Sequence, residues 1–199
     1  MFRRSAAVLA AAYATLAVLV AAGALTRVDQ WGVDHLMPGA HFHAARHGLA
    51  AGIVPLLGAH WHGGLAIAAN IVTLPASFAI SLALVAWRSR LLAAALLAAV
   101  AVEVVCKELL TRPALYDGSF HIGTFDSSFP SGHTLRTVIV AAALWPVLRL
   151  WAAAWAVASV VLLQLAGWHT PTDVAGGLVL ALLALLCAGG AGALGRRRA

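Results

Sequence analysis

Two short stretches carry the side chains best suited to chemistry: "FPSGHT" at residues 129–134 and "GWHTPTD" at residues 167–173. In the second, Pro171 suits the first position of a helix, which puts Asp173 in the first turn and His169 just before it. At that spacing the carboxylate can accept a hydrogen bond from one imidazole nitrogen. That fixes the tautomer and leaves the other nitrogen as a nucleophile or base. The same residues would serve equally as a helix cap with a neighbouring histidine. In the first stretch, Ser131 and Gly132 place a hydroxyl and free backbone N–H groups at another helix start. Such a start binds phosphate, though it is also an ordinary cap. His133 stands beside it, where it could protonate a leaving oxygen. A third stretch, "CKELLTRP" at residues 106–113, adds Lys107 and Arg112. Lys107 either faces an anion or pairs with Glu103, four residues back. The Arg112 guanidinium can grip a phosphate with two N–H groups at once. Cationic clamps, an in-line nucleophile and an acid for the leaving group together suit phosphoryl transfer. The acidic residues do not cluster as a Mg²⁺ site would require, and a phosphohistidine intermediate needs no metal, so neither a cofactor nor metal ligands are expected.

These stretches must be positioned by elements that are almost wholly apolar. The chain has 199 residues, 62% of them hydrophobic and 10% charged, with mean hydropathy +0.92. A soluble domain is about half apolar and a quarter charged, so the sequence reads as one integral membrane domain over residues 1–199, without linker or internal repeat. Six apolar runs approach the roughly 20 residues needed to span a bilayer: Ser5–Leu25, Leu65–Trp87, Leu91–Leu110, Thr134–Leu148, Leu150–Trp168 and Val174–Leu194. The expected fold is therefore all-α, a six-span transmembrane bundle. Leu49–Ala59, with Pro55, is too short to cross and is expected to be re-entrant or interfacial. Arg3 and Arg4 before the first run, with "AAGA" at its end, resemble a cleavable leader, but the length of the run favours a retained span.

The net charge is +6. The basic residues sit mostly at the ends of apolar runs, which points to membrane orientation and away from nucleic acid. With the N-terminus inside, Arg3, Arg4, Arg88, Arg90, Arg149, Arg196, Arg197 and Arg198 are cytoplasmic. Every histidine and all acidic residues then gather at the other, extracytoplasmic face. Six of the histidines, His35, His41, His43, His47, His60 and His62, lie in the first outer loop, in a spacing that fits no standard metal site. Cys106 and Cys187 lie inside apolar runs and form no disulfide framework.

Over roughly residues 90–180, the catalytic core, the sequence resembles the type 2 phosphatidic acid phosphatase family, membrane lipid phosphatases related to vanadium haloperoxidases. "FPSGHT" and "HTPTDVAGG" carry most of the likeness. The resemblance implies a six-helix fold and metal-independent chemistry. His169 would be the nucleophile, Asp173 its orienting partner and His133 the general acid, with Ser131, Gly132 and Lys107 as phosphate ligands. Two positions depart from the family pattern. Lys107 is followed by four residues before Arg112, where the family has six, and Leu162 and Leu163 stand where it has Ser-Arg. Arg112 can still fill its role. Arg136, one turn after His133, is expected either to supply the missing guanidinium or to pair with Glu103 or Glu108.

The expected function is hydrolysis of a membrane lipid phosphomonoester or diphosphate, of the phosphatidic acid, phosphatidylglycerophosphate or polyprenyl phosphate class, in the plasma membrane of a bacterium. A lipid phosphotransferase and an inactive lipid-binding homologue are the alternatives.

Overall fold

The computed structural model describes residues 2–37 and 75–196, with side chains over 4–37 and 78–190. The predicted re-entrant segment at Leu49–Ala59, the start of the second predicted span and His41, His43, His47, His60 and His62 lie outside the described residues. Among the described residues, six helices follow in order: α1 (Phe2–Ala21), α2 (Thr26–Leu36), α3 (Pro75–Arg88), α4 (Arg90–Leu109), α5 (Gly132–Leu165) and α6 (Pro171–Arg196). Between α4 and α5 lie a two-stranded antiparallel hairpin, β1 (Tyr116–Asp117) with β2 (Phe120–His121), and a 3₁₀ turn at Gly123–Phe125. The described residues are thus mostly helical.

Among the described residues, three helices are long and apolar enough to cross a membrane: α1, α5 and α6. α4 is 20 residues long but carries Glu103, Lys107 and Glu108 in its second half. The two runs predicted on either side of Arg149 are two helical arms of α5, 132–148 and 150–165, that meet at a break: Arg149 has φ 33° and ψ −105°, well outside helical values. Pro146, three residues earlier, has no N–H to offer Ala142, so the helix is already weakened where it breaks. The arms on either side, 132–148 and 150–165, line one apolar groove of about 360 Å³ that includes Val138, Trp145, Ala153, Ala156 and Leu185. α2 was not foreseen from the sequence. It has only 11 residues and lacks the apolar run that marks a span.

α6 is the central element and packs against α1, α4 and α5 along its length and against α2 at its start. Its inner face is built of small residues, Gly176, Gly177, Ala181 and Ala184, which let neighbouring backbones approach closely. The core between the helices is apolar, with Leu96, Leu135, Ile139, Leu180 and Ala181 buried together. Gly177 marks the tightest crossing: a Cβ there would stand 2.4 Å from the Ser131 carbonyl oxygen. That atom is backbone and cannot swing away. Gly177→Ala is expected to lower stability by about 1–3 kcal/mol through overpacking. It also pushes the starts of α5 and α6 apart, so an unchanged thermal midpoint in detergent would contradict the crossing described.

Candidate active site

The end of α4 and the starts of α5 and α6 meet at one end of the bundle, with α2 and the 110–131 connection packed over them. Sequence-remote residues are thereby brought together. His133 Nδ1 lies 3.0 Å from His169 Nε2, and the Trp168 ring stands edge-on to His133, with centroids 5.5 Å apart. His169 is buried. Its other ring nitrogen, Nδ1, faces Asp173 Oδ2 at 3.6 Å. That is an ion-pair distance but longer than a hydrogen bond, and Nδ1 has no hydrogen-bond partner among the described residues. A proton on Nδ1 would face Asp173 and leave Nε2 as the lone-pair nitrogen toward His133 Nδ1.

Asp173 is fully buried and each of its oxygens is engaged. Oδ2 accepts from Ser128 Oγ at 2.7 Å and from the Thr170 N–H at 2.9 Å. The Asp173 N–H in turn donates to Thr170 Oγ1 at 3.3 Å. "TPTD" is therefore a capping box with Pro at the first helical position, so the cap and the histidine partner are the same carboxylate.

Asp173 Oδ1 accepts from Arg112 Nη2. This changes the expectation for Arg112. Its fork also donates to Asp29 Oδ2 at 3.1 Å, Thr170 Oγ1 at 2.8 Å and Thr172 Oγ1 at 3.3 Å, and its side chain is only 4% exposed. A guanidinium held by two carboxylates and two hydroxyls lies behind the histidine pair and is not presented as an open phosphate ligand. Asp29, on α2, completes the arrangement by accepting the Thr172 N–H at 3.0 Å and the Thr172 hydroxyl at 2.7 Å. It thus satisfies one of the free N–H groups at the start of α6 from another helix. Burial pushes the Asp29 carboxyl up from its ordinary value, against the pull of the Thr172 hydrogen bonds and the Arg112 charge.

Ser131 is the N-cap of α5. Its Oγ accepts from the Thr134 N–H at 3.2 Å, and its own N–H donates to the Asp173 carbonyl at 2.9 Å. Gly132 follows, buried against α4. Lys107 and Arg136 both pair with Glu103, the first through Oε1 at 2.7 Å and the second through Oε2 at 2.8 Å. Both pairings anticipated for these cations are therefore present. The charges of both also reach His133. Leu163, where a second Arg would complete the family pattern, is completely buried.

Sequence reasoning missed Asp29 and Ser128. No motif marks either, because each acts through a partner far along the chain. The Thr170 cap was legible in principle from the T-x-x-D spacing. The model of the PAP2 superfamily matches residues 90–189, half of the chain. No curated protein matches, and neither does any solved structure.

Proposed function

This chain belongs to the PAP2 superfamily, whose members are phosphatases, and from that membership we propose that it hydrolyses a phosphate ester or diphosphate of a membrane lipid through a phosphohistidine. The observation that carries the proposal is the pair of imidazoles 3.0 Å apart, with a carboxylate behind one of them. In the resting arrangement the lone pair of His169 Nε2 accepts from His133. Substrate enters by parting the two rings, so that the phosphorus lies between them. Nε2 attacks phosphorus, the bond to the lipid oxygen breaks, and that oxygen takes a proton from His133, which enters the step as the imidazolium and leaves it neutral. Water then attacks the phosphohistidine and returns a proton to His133, releasing phosphate and restoring His169. Asp173 holds the Nδ1 proton throughout and stabilises the positive charge that develops on the ring. Ser131 and the Gly132 backbone, with Lys107, are the proposed phosphate ligands, and no metal or cofactor is required.

A lipid substrate is supported by where the histidines lie, at the starts of two helices apolar enough to cross a membrane. A headgroup can reach them there while its tail stays in the bilayer. Six crossings follow if α3, α4 and the two arms of α5 each span. The distribution of Lys and Arg then supports the extracytoplasmic face for the histidines, in what we propose is a bacterial plasma membrane. The test is inorganic phosphate released by the purified protein from a panel of phosphatidic acid, phosphatidylglycerophosphate and polyprenyl phosphates and diphosphates. Release from none of them would overturn the proposal. A phosphorylated acceptor lipid in place of free phosphate would instead mark a phosphotransferase.

Arg136 stands in for the guanidinium missing at Leu163. It is one turn from His133, and only one of its donors is engaged by Glu103. Arg136→Ala is expected to raise KM about tenfold or more, the loss of a hydrogen bond to a charged group. Unchanged KM and kcat would show that Arg136 only neutralises Glu103.

A further inference from the structure

Glu103 is a carboxylate set in an apolar helix, where an ionisable group is costly and usually functional. Its side chain is 3% exposed. One partner, Lys107 on the next turn of α4, would suffice to neutralise it. The structure supplies a second from another helix, Arg136 of α5. Gly132 shows how closely this cluster lies against the first turn of α5. A Cβ at that position would stand 1.9 Å from Glu103 Oε1 and 2.6 Å from Arg136 Nη1, so any larger residue there would push the ends of both side chains out of their present places, one residue from His133.

The exposures are ordered. The Lys107 side chain is 32% exposed, that of Arg136 16% and that of Glu103 3%. The anion is at the back and the cations are in front. Glu103 engages one N–H of each, while an ammonium has three and a guanidinium five. The cluster keeps a net positive charge, two cations against one carboxylate.

We infer that Glu103 is the positioning residue of an anion clamp: one buried carboxylate holds Lys107 of α4 and Arg136 of α5 together beside His133, leaving their other donors for a phosphoryl group. The clamp rests on the hydrolase reading above. It accounts for a chain that lacks the Ser-Arg of the family pattern yet keeps two cations next to its general acid. It also gives the glycine of "PSGH" a second role, as the space into which the carboxylate fits.

The test is the binding of inorganic phosphate, followed by calorimetry, alongside lipid hydrolysis. Glu103→Gln keeps the shape but turns one acceptor oxygen into an NH₂ group that cannot accept, so one cation is released. The dissociation constant for phosphate is expected to rise about tenfold, the loss of one charged hydrogen bond. In an Arg136→Ala background the same change should add less than about twofold, because partners in one network are not additive. Gly132→Ala reaches the same clamp without altering a charge and should weaken phosphate binding similarly, which keeps the inference testable if Glu103→Gln does not fold. Glu108→Gln, on the exposed side of α4, is the control and should bind as the wild type does. Unchanged phosphate affinity in folded Glu103→Gln or Gly132→Ala protein would overturn the clamp and leave the hydrolase reading standing. Tighter binding in Glu103→Gln would overturn it as well, by making Glu103 a competitor of phosphate. Wild-type protein that neither binds phosphate nor hydrolyses any lipid would remove the hydrolase reading, and the clamp with it.

Discussion

His169→Ala is expected to lower phosphate release by at least about 10³-fold, as loss of a covalent nucleophile does, with little change in the thermal midpoint. The imidazole is buried and touches His133 at 3.0 Å, but its Nδ1 makes no hydrogen bond shorter than its 3.6 Å approach to Asp173. Removing the ring therefore leaves no strongly bonded partner stranded. Asp173 keeps Arg112, Ser128 and the Thr170 N–H. The measurement is phosphate release from the best lipid of the panel, with the variant's unfolding recorded in the same detergent. Residual activity near the wild-type level would exclude His169 as nucleophile, and a matching fall in stability would make its role structural. The same chemistry requires a rate that varies with pH, since imidazoles both attack and carry protons. A flat profile from about pH 5 to 8 would count against both histidines.

The second large effect is on stability. Arg112→Ala removes the one cation that Asp29 and Asp173 share and leaves two buried carboxylates facing each other across the start of α6. Breaking a buried ion pair in this way costs about 3–5 kcal/mol. Lysine is not expected to rescue it, because a single ammonium cannot reproduce the fork that reaches Asp29, Thr170, Thr172 and Asp173 together. Thermal unfolding in detergent reads the loss directly. The role expected from the family pattern, gripping phosphate, predicts the opposite: a stable protein with weakened phosphate affinity. A wild-type midpoint in Arg112→Ala would thus refute the structural role.

The two readings of Arg112 show what a sequence can and cannot carry. A guanidinium after a predicted span suits a phosphate or a carboxylate equally well, because both offer two oxygens at the same spacing. The choice depends on which acceptor the fold delivers. Here the acceptors are 83 and 61 residues away, and one of them, Asp29, lies on a helix too short and polar to be marked by its apolar content. Glu103 and Arg136 are similar. The Glu103–Lys107 pair follows from helical spacing alone, whereas the Arg136 contact needs α4 and α5 side by side.

What the amino-acid order determined by itself was local: apolar runs that become helices, Pro171 and the T-x-x-D cap that start α6, and the chemical types at 133, 169 and 173. Helical periodicity and capping act within a few residues and so are written in the order of the chain. The tertiary structure alone decided that the two histidines touch and that Arg112 serves Asp173, with the arms of α5 on either side of Arg149 bringing residues 133 and 169 to the same end of the bundle. Each of these depends on close packing of distant segments at glycines such as Gly132 and Gly177, where the next side-chain atom would collide.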